Sequence, residues 1–277
     1  MSTVEEDDEQ DLTRKQRREQ SRAQRKALEE AEAAGAQRRK RLIQLGSVAG
    51  AVVVIIVVIL IATSGGGSKV IPPGKNPESQ KQANQVTALL TGIPQNGNTL
   101  GDPKAPVTMQ YFGDLECPIC KEFTLGALPA LVTKYVRTGK LKIEYRNLET
   151  ATREPETFKT QQVAALAAGK QQKGWDYIEL FYHEQGQEDS EYVTEKYLQA
   201  LAQQVPGLNL ANWTAARNNA TFTNTITSDA QAANNAGFTG TPSFLIGKTG
   251  ETPKKLEYSS LTEPASFESA IEKLLKS

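Results

Sequence analysis

The chain has 277 residues but only two cysteines, set together as Cys117-Pro118-Ile119-Cys120 directly after the apolar stretch Val107-Thr108-Met109-Gln110-Tyr111-Phe112. Two thiols separated by two residues can close a small ring. With no third cysteine, neither can be half of a long-range structural bridge. A strand candidate that runs into such a pair and then into a helical pattern reads as a redox-active dithiol rather than a staple.

Composition divides the chain before any motif does. Residues 1–41 are crowded with Arg, Lys, Glu, Asp and Gln and hold almost no large apolar side chains. Such a segment cannot bury enough surface to offset chain entropy, which predicts a disordered, charged tail. From Leu42 to Thr63 there is no charged residue, and Val52 to Ile61 is an unbroken run of Val, Ile and Leu. About 20 apolar residues suffice to cross a bilayer as a helix. The formal net charge of zero hides an asymmetry: Arg38, Arg39, Lys40 and Arg41 abut this run, and Gly65-Gly66-Gly67 follows it. Positive charge stays on the cytoplasmic side, so residues 1–41 are expected inside and the C-terminal domain outside the cell membrane. A cleaved signal peptide has a shorter apolar core and a much shorter charged region, which favours an uncleaved anchor. The basic tail has no aromatic residue interleaved and is diluted by acids, so it reads as a topology signal in contact with the lipid bilayer and not as a nucleic-acid arm.

Residues 64–97 are expected to form a linker with a short helix at about Ser79 to Thr91, and residues 98–277 the folded domain. Within it, Val107 to Phe112 is a strand, and Cys117 to about Val136 a helix with Phe123, Leu125, Leu128, Leu131, Val132 and Tyr135 inward and a kink at Pro129. Leu141 to Arg146 is a second strand, parallel to the first. From about 155 to 236 the apolar spacing is largely helical. Strand pattern returns at Ser243 to Ile246 and again at Leu256-Glu257-Tyr258, before a last helix at Glu263 to Leu275.

The chemistry follows from position. Cys117 would sit at the N-cap, where unpaired backbone N–H groups and the helix dipole favour an anion. Pro118 falls at the first helical position, where its missing N–H is not needed. A thiolate is both the attacking and the leaving species in exchange. Cys120, one turn further in, would be shielded and resolve a mixed disulfide. Zinc needs four ligands, whereas the chain offers one histidine, His183, and no further cysteine, so metal binding is disfavoured. His183, Trp175 and Trp213 read as packing residues of the helical stretch. The segment Gly240-Thr241-Pro242-Ser243-Phe244 opens the late strand; taken alone, its Thr241–Pro242 bond has a trans default.

The runs Leu100-Gly101-Asp102-Pro103-Lys104-Ala105-Pro106-Val107-Thr108, Tyr111-Phe112-Gly113-Asp114, Cys117-Pro118-Ile119-Cys120 and Gly237-Phe238-Thr239-Gly240-Thr241-Pro242-Ser243-Phe244 resemble the DsbA-like thiol–disulfide oxidoreductases of the thioredoxin superfamily, in particular the membrane-anchored forms of actinobacteria. The resemblance implies an α/β thioredoxin fold interrupted by a helical domain. It implies Cys117 as nucleophile, Cys120 as resolving thiol, and Thr241 with a cis Pro242 as the substrate-binding element. It implies no cofactor beyond the Cys117–Cys120 disulfide, exported cysteine-containing proteins as substrates, and a membrane redox partner, quinone-linked, that reoxidises the pair.

Two departures matter. The buried acid that many relatives carry six residues before the first cysteine is Tyr111 here, and Glu144 on the next strand is a candidate relay set against a plain solvent-facing role. Pro118-Ile119 lacks the histidine of strongly oxidising relatives, and Glu116 should oppose the thiolate by like charge, so Cys117 is expected to be acidified less than in the strongest oxidants. The competing readings are a membrane-tethered reductase or isomerase, and a noncatalytic module that holds an extended peptide beside Pro242.

Overall fold

A computed structural model describes residues 73–74 and 76–277; the charged tail, the apolar span and most of the tether lie outside the described residues. Among the described residues no helix is long and apolar enough to cross a membrane.

In chain order the elements are α1 (Pro77–Leu90), β1 (Gln95–Asn96), β2 (Thr99–Leu100), β3 (Val107–Gly113), α2 (Pro118–Leu125), α3 (Leu128–Leu131) running into a π-helical turn (Val132–Val136), and β4 (Leu141–Asn147). Five helices follow: α4 (Pro155–Gly169), α5 (Gly174–His183), α6 (Glu195–Gln204), α7 (Leu210–Ala216) and α8 (Thr221–Asn235). Then come β5 (Ser243–Lys248), β6 (Lys254–Lys255) and α9 (Ala265–Lys276). The strands form one mixed sheet in the order β1-β2-β4-β3-β5-β6. β3 pairs parallel with β4 and antiparallel with β5. The helical run therefore sits as an insertion between β4 and β5, as its spacing predicted.

Alternation along the central strands splits the apolar residues between two faces. Val107, Met109 and Tyr111 of β3 join Ile143 and Tyr145 of β4 and Phe244 of β5 in the main core, while Phe112 packs with Leu148 and Ala233 on the other face. Phe123 anchors α2 to that main core: its ring centroid lies 5.0 Å from Tyr111, 4.7 Å from Phe244 and 5.1 Å from Phe267. A fully buried aromatic of this kind contributes about 1.5–3 kcal/mol through burial, which is what holds the start of α2 against the sheet.

Four sequence expectations are corrected. The long helix after Cys117 is broken at Gly126, not kinked at Pro129. A Cβ on Gly126 would lie 2.6 Å from the Glu122 carbonyl oxygen and 2.6 Å from Thr262 Cα, and the next N–H, of Ala127, leaves the helix to bond Leu261 O at 3.1 Å. Pro129 sits in the first turn of α3, where a proline is tolerated. Leu125, expected inward, is 41 % exposed because the helix ends at that turn. Residues 256–258 are not a strand; Leu256 makes one bond to Phe244 O and fills the core, and the paired residues are Lys254 and Lys255. Finally, the short helix read as part of a linker is packed into the domain: Val86 and Leu90 of α1 are buried in the main core, and Ser79 Oγ donates to Glu184 at 2.8 Å.

Candidate active site

The two ends that meet at the site are set by sheet register. Phe112 lies opposite Ser243, so the loop leaving β3 and the residues entering β5 emerge side by side. Cys117 is the N-cap of α2, with extended backbone (φ −70°, ψ 117°), Pro118 at the first helical position, and its sulfur accepting from Cys120 N at 3.3 Å. Thr241 lies two residues before β5, its peptide bond to Pro242 is cis, and its carbonyl oxygen is 3.5 Å from Cys117 Sγ. Pro242 is buried, and its own carbonyl accepts from the Tyr258 hydroxyl at 3.3 Å.

The two thiols, both free, are held differently. A hydrogen bond from the Cys120 thiol is the largest influence on Cys117; burial opposes it, and Thr241 and the backbone N–H groups of Cys120 and Ile119 reinforce it, so the thiol falls to about 7 from a usual value near 9. Thr241 offers a carbonyl that suits the thiol and a hydroxyl that suits the thiolate. Cys120 has no exposed surface, and burial, then the hydrogen bond and charge of Cys117, push it well above its ordinary value. The first thiol thus ionises near neutrality and the second does not. Only 4 % of the Cys117 surface is exposed, whereas Ile119, two residues on, is 43 % exposed.

Behind Cys120 stands a cluster of tyrosine hydroxyls. Tyr111 lies 3.4 Å from Cys120 O and donates to Tyr182 at 3.2 Å, Tyr145 meets Tyr182 at 3.2 Å, and Tyr182 donates to Asp114 O at 3.0 Å. Burial, and next the electrostatic influence of Cys120, hold Tyr111 well above its ordinary value, so it is a neutral hydroxyl in the place of the relatives' acid. Glu144 does not take over that role. It points to the sheet face opposite Tyr145, where it pairs with Arg146 at 3.1 Å. Glu116, expected to oppose Cys117 as a charged neighbour, is buried and pushed up to about 7, chiefly by burial, so at neutral pH it carries only part of its charge. His183 lies at the end of α5, with burial and then Lys121 lowering its pKa. Trp175 and Trp213 are fully buried, their indole N–H groups donating to Asn98 O and Ala164 O.

Asp114 and Gln185 are the supports that sequence reasoning missed. The Asp114 carboxylate accepts from the backbone N–H groups of Thr150, Ala151 and Thr152 at 3.0, 2.9 and 2.9 Å, from Glu116 N at 3.1 Å, and from the Thr152 hydroxyl at 2.6 Å. Its carbonyl accepts from Cys117 N at 3.1 Å. One residue therefore ties the cysteine loop to the segment after β4. An Asp three residues before a helix N-cap is the sequence signal, as a turn former. Gln185, beyond α5, donates to Leu115 O at 2.7 Å and Cys117 O at 3.1 Å, so the insertion fixes the same loop. No sequence signal marked it.

A thioredoxin family model matches residues 95–272. The chain belongs to the thioredoxin family. Within it, this is a DsbA-like thiol–disulfide oxidoreductase. Disulfide bond formation protein D of Bacillus subtilis is 26 % identical over 152 residues, covering 53 % of this chain and 66 % of that protein. Probable disulfide bond formation protein D of Bacillus cereus is 24 % identical over 151 residues, covering 53 % and 68 %. Among solved structures, oxidised BdbD of Bacillus subtilis is similar with a TM-score of 0.55 at 22 % identity, over 68 % of this chain and 98 % of that one. Alpha-DsbA1 of Wolbachia pipientis gives 0.53 at 22 % identity, over 68 % and 92 %. At such identities the structural likeness concerns the fold, and it includes the helical insertion of this DsbA-like enzyme.

Proposed function

We propose that this oxidoreductase is tethered to the cell membrane by residues 42–63, with residues 1–41 cytoplasmic, and oxidises cysteines of exported proteins outside the cell. Support for the topology is the cluster Arg38 to Arg41 before the apolar span. The observation that carries the reaction is the asymmetry of the two thiols: Cys117 lowered to about 7 beside Thr241, Cys120 buried and raised.

In the oxidised enzyme a substrate thiolate attacks Cys117 Sγ. The Cys117–Cys120 bond breaks, and Cys120 leaves as a thiolate that takes up a proton at once, because its buried site disfavours the charge. A second substrate thiolate then attacks the substrate sulfur of the mixed disulfide. Cys117 leaves as a thiolate, which its N-cap position stabilises. The substrate has lost two electrons and two protons, and the enzyme holds a dithiol. A membrane redox partner, linked to quinone, accepts those electrons, and the anchor keeps the dithiol within its reach. Thr241 and Pro242 position the incoming segment, while Pro118 and Ile119 tune and cover the first thiol. No dissociable cofactor enters this cycle.

One observation favours the reductive reading. A first thiol near 7 matches thioredoxin, at about 7, more closely than the strongest oxidant of the superfamily, at about 3.5. Equilibration of the dithiol with glutathione separates the two directions. A potential above about −200 mV fits oxidation of substrates; a value at or below about −270 mV would assign the site to reduction.

A further inference from the structure

The loop after α5 and the segment between β4 and α4 enclose a cavity of about 420 Å³ whose lining includes Glu116, Thr152, Arg153, Glu154, Asp189 and Glu191. Acidic side chains at a rim are ordinarily just solvated surface. Glu116 is different. It is only 6 % exposed, it lines the cavity, and it is joined directly to Cys117 in the chain. Among the described residues, none forms an ion pair with its carboxylate; its backbone N–H bonds Asp114, and the Thr152 hydroxyl is the one side-chain donor beside it. The Thr152 hydroxyl beside it is already committed, donating to Asp114 at 2.6 Å and accepting from Gln161 at 2.7 Å. A buried carboxylate without a charged partner is costly to ionise: burial, opposed by the Thr152 hydroxyl and reinforced by Asp114, Asp189 and Glu188, holds this one up to about 7. A cation entering the cavity supplies the missing counter-charge.

The shape of the charge says which cation. Among the described residues no three carboxylate, imidazole or thiol groups gather closely enough to hold a metal ion, so the carboxylates at this cavity are spread out. A charged head on a long flexible stem can reach such a set, and a guanidinium adds several donors in one plane. The rim already holds one: Arg153 meets Asp189 at 2.7 Å with its side chain 76 % exposed, a surface pair that an arriving cation can join or displace.

We infer that this cavity is a subsite for an arginine or lysine side chain flanking the cysteine of the polypeptide that exchanges disulfides with Cys117. The inference rests on the proposed function. It makes the enzyme selective for cysteines in basic sequence, with the charge seated beside the reacting sulfur.

The test uses the oxidised full-length chain in detergent and three two-cysteine peptides that differ only in whether the flanking residues are Arg, Gln or Glu. The expected ratio of kcat/KM for the Arg over the Glu peptide is about tenfold at low salt. It should shrink as salt rises and approach one in the double variant Glu154→Gln/Glu191→Gln, both exposed positions that fold without a partner. Equal rates on all three peptides, or a ratio that the double variant leaves unchanged, overturn the subsite. If no peptide is oxidised, the proposed function fails by itself, and the subsite is decided by fluorescence anisotropy with the cysteines replaced by serine. Tighter binding of the Arg peptide, lost in the double variant, supports it; equal binding of the Arg and Glu peptides overturns it.

Discussion

The carbonyl oxygen of Thr241 lies 3.5 Å from the sulfur of Cys117, although 124 residues separate them in sequence. The juxtaposition is a consequence of strand pairing. With Phe112 opposite Ser243, the residues entering β5 and the loop leaving β3 emerge at the same end of the sheet. The insertion between β4 and β5 does not disturb this, because its contribution to the site runs through Tyr182 and Gln185, which bond the same loop from the other side.

Cys117 should titrate as an acidic thiol while Cys120 stays protonated beside it. In the reduced protein, the rate of alkylation plotted against pH is expected to show a midpoint at about 7, absent in Cys117→Ser, with Cys120 unreactive over the same range. A folded value below the usual 9 also fixes a sign for stability: the contribution is fully present above about 9 and is lost as pH falls through about 7. The disulfide form, having no thiol to ionise, lacks it. A midpoint at or above the model-peptide value of about 8.5 would contradict the N-cap account.

Glu179 is the opposite case. It is fully buried in α5, neither carboxylate oxygen has a hydrogen-bond partner among the described residues, and burial, then Asp176, raise it to about 8. A raised acid stabilises below its unfolded value near 4.5, and that contribution disappears as pH rises through about 8. Glu179→Gln should therefore leave denaturant stability at pH 5 nearly unchanged and raise it at pH 9, by on the order of 3–5 kcal/mol at most. Equal effects at both pH values would show that the carboxyl is not held neutral.

Asp114→Ala should cost about 3 kcal/mol or more, because it leaves three backbone N–H groups of residues 150–152 without their acceptor inside the fold. It should also blur the difference between the two thiols, since the lost carboxylate is what holds the Glu116 N–H one residue before Cys117. Asp114→Asn keeps one acceptor oxygen and is expected to fall between. Chemical denaturation and the alkylation midpoint measure the two effects separately.

Much of this was legible in sequence, and the exceptions share a cause. Alternation in Val107–Phe112 and Leu141–Arg146 marked the two central strands, and spacings of three and four marked the inserted helices, because both patterns record local burial. The break at Gly126 was not legible: it depends on Leu261 and Thr262, brought to it only by the fold. The alternation Leu256-Glu257-Tyr258 looked like a strand, but its outer two residues are apolar because Leu256 fills the core and Tyr258 stacks on Phe267 at 5.6 Å. The hairpin of β1 and β2 has two residues per strand, too few for any period to show. At the site, the cysteine pair was legible from spacing. The cis bond at Pro242 was legible only by resemblance, since isolated X–Pro statistics point the other way. Asp114 was visible as part of a motif, but its partners at 150–152 follow a different strand, so its role was not.

The most direct test of the thiol asymmetry is trapping. Cys120→Ala, allowed to react with a disulfide-bonded model protein, should accumulate a mixed disulfide through Cys117 that survives non-reducing electrophoresis, because the buried resolving thiol is gone. Cys117→Ala should accumulate none, its remaining thiol being inaccessible and protonated. Adducts of equal yield on the two variants, or none on Cys120→Ala, would contradict the account.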